Sequence, residues 1–383
     1  MVKKTKHYER LFDLKALLKK NSFFLFGPRA TGKSYHIKKV FPSIPIFDLL
    51  DEDVYGRLVR RPKQLSEEIP EKTKYVVIDE IQKCPALLDE VHRLIEKRGI
   101  HFLLTGSSAR KLKRGGANML GGRAWEAHYF PLLYKEIEDF NLNKYLTIGG
   151  LPRIYLSEFP DEELKAYVHL YVHEEIKAEA LTRKIENFVR FLDVMALSNG
   201  KEINYQKIAT DSGVPPRTIE NYIEILKDTL MGIEINPFLL TKKRKAITRG
   251  KFYFFDIGVV NYICGIKEIP PKTELFGNAF EHWLVLELNA WNSLQRKDFK
   301  LSYWRSVNGQ EVDLILGKEL ALEFKSSSRI VDEDLKGLKA LKEEGLIKKF
   351  ILISQDKINR QSDGVELMYW KDFLNQLWDG KIL

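Results

Sequence analysis

A glycine-rich segment near the N-terminus restricts the fold of this chain more than any other feature. Its pattern is G-x-x-x-x-G-K-[ST], and it lies between a short apolar run and a helical pattern. Its members are Gly27, Pro28, Arg29, Ala30, Thr31, Gly32, Lys33 and Ser34. Glycines in such a turn let backbone N–H groups surround phosphate oxygens, while Lys33 neutralises phosphate charge and the Ser34 hydroxyl ligates Mg²⁺. The sequence therefore predicts a nucleotide site, with these eight residues as its phosphate contacts.

A pair of acidic residues follows a second apolar run. Residues 75–78 predict a buried strand, and Asp79 and Glu80 come directly after it. Adjacent acids often mark only a solvated turn, but a strand that ends beside the glycine-rich turn favours a magnesium ligand at Asp79 and a water-polarising base at Glu80. A third strand, predicted over 101–104, ends at Thr105. We expect its hydroxyl to contact the γ-phosphate or orient the water, although Thr-Gly-Ser also occurs in ordinary turns.

Strand and helix patterns alternate in the first third of the chain. Apolar runs at 22–26, 44–47, 75–78 and 101–104 are separated by helical patterns such as 85–97. This alternation predicts an α/β fold with a parallel sheet. From about 131 to 199 amphipathic helical patterns dominate, notably 162–180 and 185–197, and they predict a helical subdomain.

Composition narrows the class of protein. Lys and Arg number 62 against 53 Asp and Glu, and the net charge of +9 suits a polyanionic partner without requiring one. Cys84 and Cys264 are the only cysteines, which argues against a disulfide scaffold and offers no zinc spacing. No segment has the pattern of a signal peptide or approaches ~18 consecutive apolar residues. We therefore expect a cytoplasmic protein that does not span a membrane.

The middle of the chain has the pattern of a winged helix-turn-helix. A short helical pattern from Ile203, a turn at Gly213 and a second helical pattern over 218–230 precede two strand-like flanks. Between and beside the flanks lies a group of cations: Lys242, Lys243, Arg244, Lys245, Arg249 and Lys251. Cations on an exposed wing can bind DNA phosphates, and Arg217 on the second helix could reach base edges. The alternative is a winged helix used for packing or oligomer contacts.

Acidic residues and a lysine recur on apolar runs near the C-terminus. Asp313 lies on one predicted strand, and Glu323 and Lys325 alternate on the next, so that both face the same side. Carboxylates bind Mg²⁺ or Mn²⁺, and a lysine can stabilise the charge on an attacked phosphate. An exposed strand face would also give the pattern E-x-K, but here its neighbours are apolar.

The N-terminal motifs resemble those of AAA+-type P-loop ATPases. Within this class, the chain is similar to the prokaryotic AAA family whose members have a C-terminal domain of unknown function. The strings that carry this similarity are Asp79-Glu-Ile-Gln, Thr105-Gly-Ser-Ser-Ala-Arg, Gly122-Arg123, Tyr129-Phe-Pro and Gly149-Gly-Leu-Pro. That family is related to archaeal and signal-transducing ATPases. The resemblance implies ATP and Mg²⁺ as ligands and Thr105 on the sensor strand. Arg110, Arg123 and Arg153 are candidate sensor or finger arginines, of which Arg123 is favoured, and the alternative for each is a merely solvated residue.

The C-terminal strand order resembles the PD-(D/E)xK restriction-endonuclease-like fold. This resemblance implies Asp313 and Glu323 as metal ligands, Lys325 as the catalytic lysine, and Glu281 on the preceding helix as an accessory acid that also binds metal. Domains of this type also occur as inactive units that bind DNA or pack.

Together these patterns predict four segments. We expect a P-loop ATPase core over 1–145, a helical lid over 146–200, a winged helix over 201–270 and a nuclease-like α/β domain over 271–383. Three functions remain open: an ATPase whose nucleotide gates DNA cleavage, a nucleotide-switched DNA-binding regulator with a silent nuclease-like site, and an assembly protein that uses the winged helix for oligomer contacts. The expected partners are ATP, DNA and a second copy or partner protein.

Overall fold

The computed structural model describes residues 8–106, 120–170 and 185–383. The described residues form two compact units. The first takes those of Met1–Leu132 together with Asp228–Met231, and the second takes those of Leu133–Lys227 and Gly232–Leu383. Among the described helices, none combines the length and the apolar character that crossing a bilayer requires.

A parallel five-stranded sheet forms the first unit, as the alternating pattern predicts. Its strand order is β2-β3-β4-β1-β5. The strands are β1 (Ser22–Phe26), β2 (Ile46–Asp48), β3 (Tyr75–Asp79), β4 (His101–Gly106) and β5 (Ala124–His128). The helices are α1 (Leu14–Lys20), α2 (Lys33–Val40), α3 (Glu52–Arg60), α4 (Gln64–Glu68) and α5 (Leu87–Arg98). Because β1 pairs with β4 and β4 with β3, the carboxyl ends of these three strands share one edge of the sheet.

Burial on both faces explains why the central strands are apolar throughout. Phe24, Phe26 and Ile78 pack into one core of the unit, and Phe23 and Leu25 pack into another on the opposite side of β1. The one polar residue of β1, Ser22, is fully buried, and its hydroxyl accepts the Phe102 backbone N–H at 2.9 Å. The sheet therefore provides a rigid base for the turns that follow its strands.

The second unit begins with helices. These are α6 (Leu142–Ile148), α7 (Pro152–Leu156), α8 (Pro160–Leu170), α9 (Ile185–Leu197), α10 (Tyr205–Ser212) and α11, which runs Pro216–Asp228. Further along the chain come α12 (Ile257–Ile263), α13 (Glu274–Leu294), α14 (Lys336–Lys342) and α15 (Trp370–Trp378). Helices α10 and α11 flank the predicted turn at Gly213, whose φ is +65°.

One eight-stranded sheet runs through the second unit in the order β12-β13-β11-β10-β9-β8-β6-β7. Its strands are β6 (Gly232–Pro237), β7 (Lys251–Phe254), β8 (Leu301–Arg305), β9 (Glu311–Leu316), β10 (Leu320–Lys325), β11 (Lys349–Ser354), β12 (Arg360–Ser362) and β13 (Val365–Tyr369). The expected hairpin forms between β6 and β7, but β6 also pairs in parallel with β8. The hairpin is thus continuous with the C-terminal sheet, although a boundary was expected near 270.

The Gly149-Gly-Leu-Pro string has a structural explanation. Gly149 has φ +76°, and a Cβ atom at this residue would lie 2.1 Å from Asp256 Oδ1. The buried Asp256 carboxylate accepts the Gly150 N–H at 2.8 Å and the Val259 N–H at 3.2 Å. Burial raises the pKa of Asp256 to about 6, against the lowering effect of these backbone hydrogen bonds. The Gly149-Gly-Leu-Pro string therefore holds the start of α7 next to the start of α12.

Glu287 on α13 is a second buried carboxylate, and it makes stability depend on pH. It accepts the Tyr134 N–H at 3.2 Å and the Trp378 indole N–H at 2.9 Å. Burial raises the pKa of Glu287 from 4.5 to about 8, although both hydrogen bonds oppose the rise. Because the folded pKa lies above the unfolded one, the contribution of Glu287 to stability is complete below the unfolded pKa and is lost as pH rises through the folded pKa.

We therefore expect Glu287→Gln to flatten the pH dependence of stability. The amide keeps an acceptor for both donors but never ionises, so it avoids a cost of roughly 3 kcal/mol that wild type incurs between about pH 4.5 and 7. Urea unfolding at a series of pH values measures the difference in the free energy of unfolding between the two proteins. A difference that stays constant with pH would show that Glu287 is not the titrating group.

Candidate functional site

The Gly27–Ser34 turn connects β1 to α2 at the carboxyl edge of the first sheet. Gly32 adopts a left-handed conformation, with φ +91°, immediately before the helix. Lys33 is buried, and its Nζ donates to the backbone oxygens of Gly27 at 2.6 Å and Pro28 at 2.9 Å. The lysine therefore folds back over the turn, next to the N-terminal end of the helix. A buried ammonium and a helix N-terminus together suit an anionic phosphate group.

Arg10 supports this turn, and no sequence motif pointed to it. Its Nη1 donates to the Thr31 backbone oxygen at 2.8 Å, and its Nη2 donates to the Phe130 backbone oxygen at 2.7 Å. The guanidinium lies 4.3 Å from the centre of the Tyr129 ring. The Thr31 hydroxyl donates to the Pro28 backbone oxygen at 2.9 Å. The middle of the turn is thus held both by Arg10 and by a hydrogen bond within the turn.

Thr105 connects the two acidic residues at the end of β3. Its hydroxyl donates to Asp79 Oδ1, and the hydroxyl oxygen of Thr105 accepts the Glu80 N–H at 3.1 Å. Asp79 and Thr105 are both buried. The sensor position and the two acids therefore form one hydrogen-bonded unit.

Glu80 has an unusual backbone conformation and a partly buried carboxylate. Its backbone is left-handed, with φ +60°, which a residue with a Cβ adopts at a cost in conformational energy. Its carboxylate accepts a hydrogen bond from the Gln82 amide. Burial raises the pKa of Glu80, Lys33 opposes that rise, and Asp79 adds to it. Lys33 and Asp79 therefore both act electrostatically on the Glu80 carboxylate.

The candidate sensor arginines make contacts at the surface. Arg123 forms an ion pair with Glu96 on α5, and both side chains are exposed. Arg153 pairs with Glu163 at 2.8 Å. Arg110 lies outside the described residues. Arg123 therefore keeps its assigned role only as a prediction.

Asp313, Glu323 and Lys325 meet on the second sheet. The register of β9 and β10 pairs Leu314 with Leu322, so one step further along it places Asp313 opposite Glu323. Asp313 Oδ2 accepts the Phe324 N–H at 2.8 Å, and Lys325 Nζ lies 2.7 Å from Glu323 Oε1. Glu323 Oε2 is buried and accepts no hydrogen bond from the described residues. An acidic oxygen in this condition has an open position for a cation.

Burial raises the pKa of both acids. Burial, with Glu323 and Glu281 nearby, raises the pKa of Asp313 well above its ordinary value, while Lys251 and Lys325 oppose the rise. Burial raises the pKa of Glu323 to about 7, although Lys325 lowers it. The pair thus lacks positive charge, which a divalent cation would supply. Within the described residues no group of three or more His, Cys, Asp and Glu side chains is arranged to hold a metal, so a protein ligand set here would rest on two carboxylates.

Glu281 contacts a tyrosine and a lysine of β7. The Tyr253 hydroxyl donates to Glu281 Oε1 at 2.6 Å, and Lys251 Nζ lies 3.4 Å from the same oxygen. Lys251 also lies 2.6 Å from Glu311 Oε1. The sequence grouped Lys251 with the cations of an exposed wing, and this assignment is wrong, because the residue is only 5% exposed.

Three of the other wing cations contact the residues that follow α14. The backbone N–H groups of Lys242 and Lys243 donate to Glu344 Oε2 at 2.8 and 3.0 Å. Lys243 Nζ donates to the Glu343 backbone oxygen at 2.6 Å, and Arg244 donates to Glu343 Oε2 at 2.6 Å. This segment therefore lies along the C-terminal part of the second unit. The residues of the predicted DNA contact that remain exposed include Lys242, Lys245, Arg249 and Arg217.

Comparisons with known families divide the chain into three parts. An AAA domain family matches residues 19–138, Domain of unknown function (DUF8612) matches residues 139–269, and Domain of unknown function (DUF4143) matches residues 276–373. Residues 19–138 are thus similar to an AAA domain, and the P-loop turn lies within them. The C-terminal part of the chain matches a domain family that has no assigned function.

Relatives of similar organisation occur in archaea and bacteria. An uncharacterized protein of Methanocaldococcus jannaschii is 24% identical over 359 residues, which cover 84% of this chain and 78% of that protein. An uncharacterized protein of Mycobacterium tuberculosis is 22% identical over 316 residues, which cover 79% of this chain and 70% of that protein. Among solved structures, the Aeropyrum pernix Orc1 protein in complex with DNA matches with a TM-score of 0.28 and 13% identity, over 67% of this chain and 93% of that one.

Proposed function

We propose that this chain hydrolyses ATP with Mg²⁺ at the Gly27–Ser34 turn. The observation that carries the proposal is the hydrogen-bonded unit of Asp79, Glu80 and Thr105, which lies at the same sheet edge as the buried Lys33. A P-loop ATPase needs a phosphate-binding lysine, a metal-holding acid and a water-polarising base. The test is phosphate release from ATP by wild type and by a Lys33 variant.

The residues divide the chemistry among themselves. Lys33 and the backbone N–H groups of the turn bind the β- and γ-phosphates, and Ser34 and Asp79 would hold Mg²⁺, which neutralises phosphate charge. Glu80 takes a proton from the attacking water, and its raised pKa favours that transfer. Thr105 holds the Glu80 backbone and Asp79 in a fixed relation, so that the base and the metal ligand act on one phosphate.

A second candidate function is metal-dependent cleavage of a phosphodiester by Asp313, Glu323 and Lys325. The specific observation that favours it is the buried Glu323 Oε2, which has no donor among the described residues, beside the Asp313 carboxylate. Asp313 and Glu323 would hold Mg²⁺ or Mn²⁺, which lowers the pKa of a bound water, and Lys325 would stabilise charge on the attacked phosphate. DNA is the proposed substrate, and we propose that ATP occupancy gates its cleavage.

The competing proposal is a nucleotide-switched DNA-binding regulator whose C-terminal site is silent. Plasmid and linear DNA incubated with Mg²⁺ or Mn²⁺, with and without ATP, distinguish the two. Cleavage that responds to ATP supports gating. Intact DNA together with ATP turnover supports the regulator.

The exposed cations near the hairpin give a test of DNA binding. We expect the triple variant Lys242→Glu, Lys245→Glu and Arg249→Glu to bind DNA at least about tenfold more weakly, because each exposed cation can neutralise one phosphate. The slope of log affinity against log salt concentration should also fall, by up to about 0.9 for each phosphate that the variant no longer neutralises. Fluorescence anisotropy with labelled duplex at several salt concentrations measures both quantities.

The control changes net charge by the same amount elsewhere. Lys15→Glu, Lys318→Glu and Lys381→Glu alter three exposed lysines outside the hairpin. If the control weakens binding as much as the hairpin variant, the effect is one of net charge, and the hairpin does not bind the DNA.

A further inference from the structure

The carboxylate cluster of the second unit has two halves, which differ in how their carboxylate oxygens are partnered. One half comprises Glu281 and Glu311, and Lys251 contacts both, at 3.4 and 2.6 Å. Arg305 Nε adds a second cation 3.6 Å from Glu311 Oε2. Arg305 Nη1 also lies 3.0 Å from Glu202 Oε1, so each carboxylate of this half already contacts a cation of the protein.

The other half differs in the surroundings of one carboxylate oxygen. Lys325 Nζ contacts Glu323 Oε1 at 2.7 Å. Glu323 Oε2 is buried and has no hydrogen-bond donor among the described residues. A divalent cation between Asp313 and Glu323 would interact favourably with both carboxylates. Beside Glu281 and Glu311 the same cation would meet the Lys251 ammonium, which is already buried against those carboxylates.

The contacts of Lys251 hold it in place. Its backbone is paired within the sheet, opposite Ile235, and its side chain is 6% exposed, with Nζ 5.1 Å from the centre of the Tyr303 ring. The Tyr253 hydroxyl donates to Glu281 Oε1 at 2.6 Å, so that oxygen already accepts a hydrogen bond beside the ammonium. A cation approaching Glu281 would have to displace a buried, fixed charge.

We infer that Lys251 excludes a divalent cation from Glu281 and Glu311, so that the cluster binds one ion, between Asp313 and Glu323. The inference rests on the proposed metal site of the second candidate function. It separates Glu281 from the metal ligands and makes that residue the partner of Lys251 and Tyr253. Lys251 is thus a positioning residue that sets the number of ions in the cluster.

Titration of the full-length protein with MnCl₂ in a calorimeter, without nucleotide, tests the inference. Lys251→Met should bind one Mn²⁺ more than wild type, because the substitution removes the ammonium that contacts both Glu281 and Glu311. Lys251→Arg keeps the charge and should bind the same number as wild type. Equal numbers of ions in Lys251→Met and wild type would overturn the inference. The P-loop contributes equally to every protein in the comparison, so the differences belong to the cluster.

Two further variants keep the result interpretable. Removing a buried ammonium can prevent folding, so Glu281→Gln, which keeps an acceptor for Tyr253, is titrated as well. It should bind Mn²⁺ as wild type does, and a loss of affinity of about tenfold or more would make Glu281 a metal ligand and overturn the inference. Asp313→Asn should bind one ion fewer than wild type. Equal binding in that variant would remove the proposed metal site itself, and with it the one-ion assignment, whatever Lys251→Met does.

Discussion

Lys33→Ala is expected to lower ATP turnover by at least about 100-fold, the loss that follows removal of one group that stabilises charge in a transition state. The Lys33 ammonium is buried in the turn and donates to the backbone oxygens of Gly27 and Pro28. Phosphate oxygens carry net negative charge and carbonyl oxygens do not, so bound ATP offers this ammonium stronger acceptors than the turn does. Phosphate release at saturating ATP and Mg²⁺ measures the effect.

The control replaces a lysine of the same unit that lies away from the turn. Lys19 is exposed in the last turn of α1, and Lys19→Ala should hydrolyse ATP as wild type does. Circular dichroism of both variants shows whether the fold is kept. Turnover in Lys33→Ala close to that of wild type would mean that the Gly27–Ser34 turn is not the hydrolytic site.

The strands that are buried on both faces could be predicted from the sequence. β1 covers Ser22–Phe26, as predicted, because its apolar run ends abruptly at Asn21 and Gly27. β5 was not predicted, since this edge strand exposes Trp125 and Glu126 and so has no continuous apolar pattern. β12 was missed for the same reason, as it consists of Arg360–Ser362. Prediction succeeded where the apolar pattern is contiguous, as in the edge strand β7, and failed where it is interrupted, as in the interior strand β13, which contains Glu366.

The same distinction applies to the candidate sites. The nucleotide motif and the E-x-K pattern are local, so their residues could be named from spacing alone. Arg10 and Lys251 act through partners 21 or more residues away in the sequence, and neither belongs to a motif. Lys251 was misassigned because charge density along the chain does not reveal which side chain a strand turns inward.

The hairpin shows how one stretch of cations divides by environment. Lys251, on β7, is buried against two acids. Arg244 pairs with Glu343 just beyond α14, and Lys245 faces solvent. The loop itself lies beside the end of β8, since the Ile247 N–H donates to the Arg305 backbone oxygen at 2.8 Å and the Val307 N–H donates to the Lys245 backbone oxygen at 3.0 Å. Local charge therefore overstates how many cations are available to a polyanion.

Asp313→Asn is expected to lower metal-dependent DNA cleavage by about 100-fold or more while ATP turnover stays at the wild-type rate. Asparagine keeps an oxygen that can accept the Phe324 N–H, which Asp313 Oδ2 accepts at 2.8 Å, so the strand geometry is preserved. The substitution removes one of the two carboxylates that would neutralise a divalent cation. Cleavage of plasmid DNA with Mg²⁺ or Mn²⁺, followed in the same tubes as phosphate release from ATP, measures both activities.

The matched control is Asp332→Asn, an exposed aspartate of the same unit, which should leave both activities unchanged. Cleavage that survives in Asp313→Asn would place it at another site or in a contaminant, and would end the assignment of Asp313 and Glu323 as metal ligands for catalysis. Cleavage that is absent from wild type as well, with ATP turnover intact, would favour the nucleotide-switched regulator. In that case the buried acids would serve the C-terminal unit only through their charge and packing, because Lys325 already balances part of their charge without a metal.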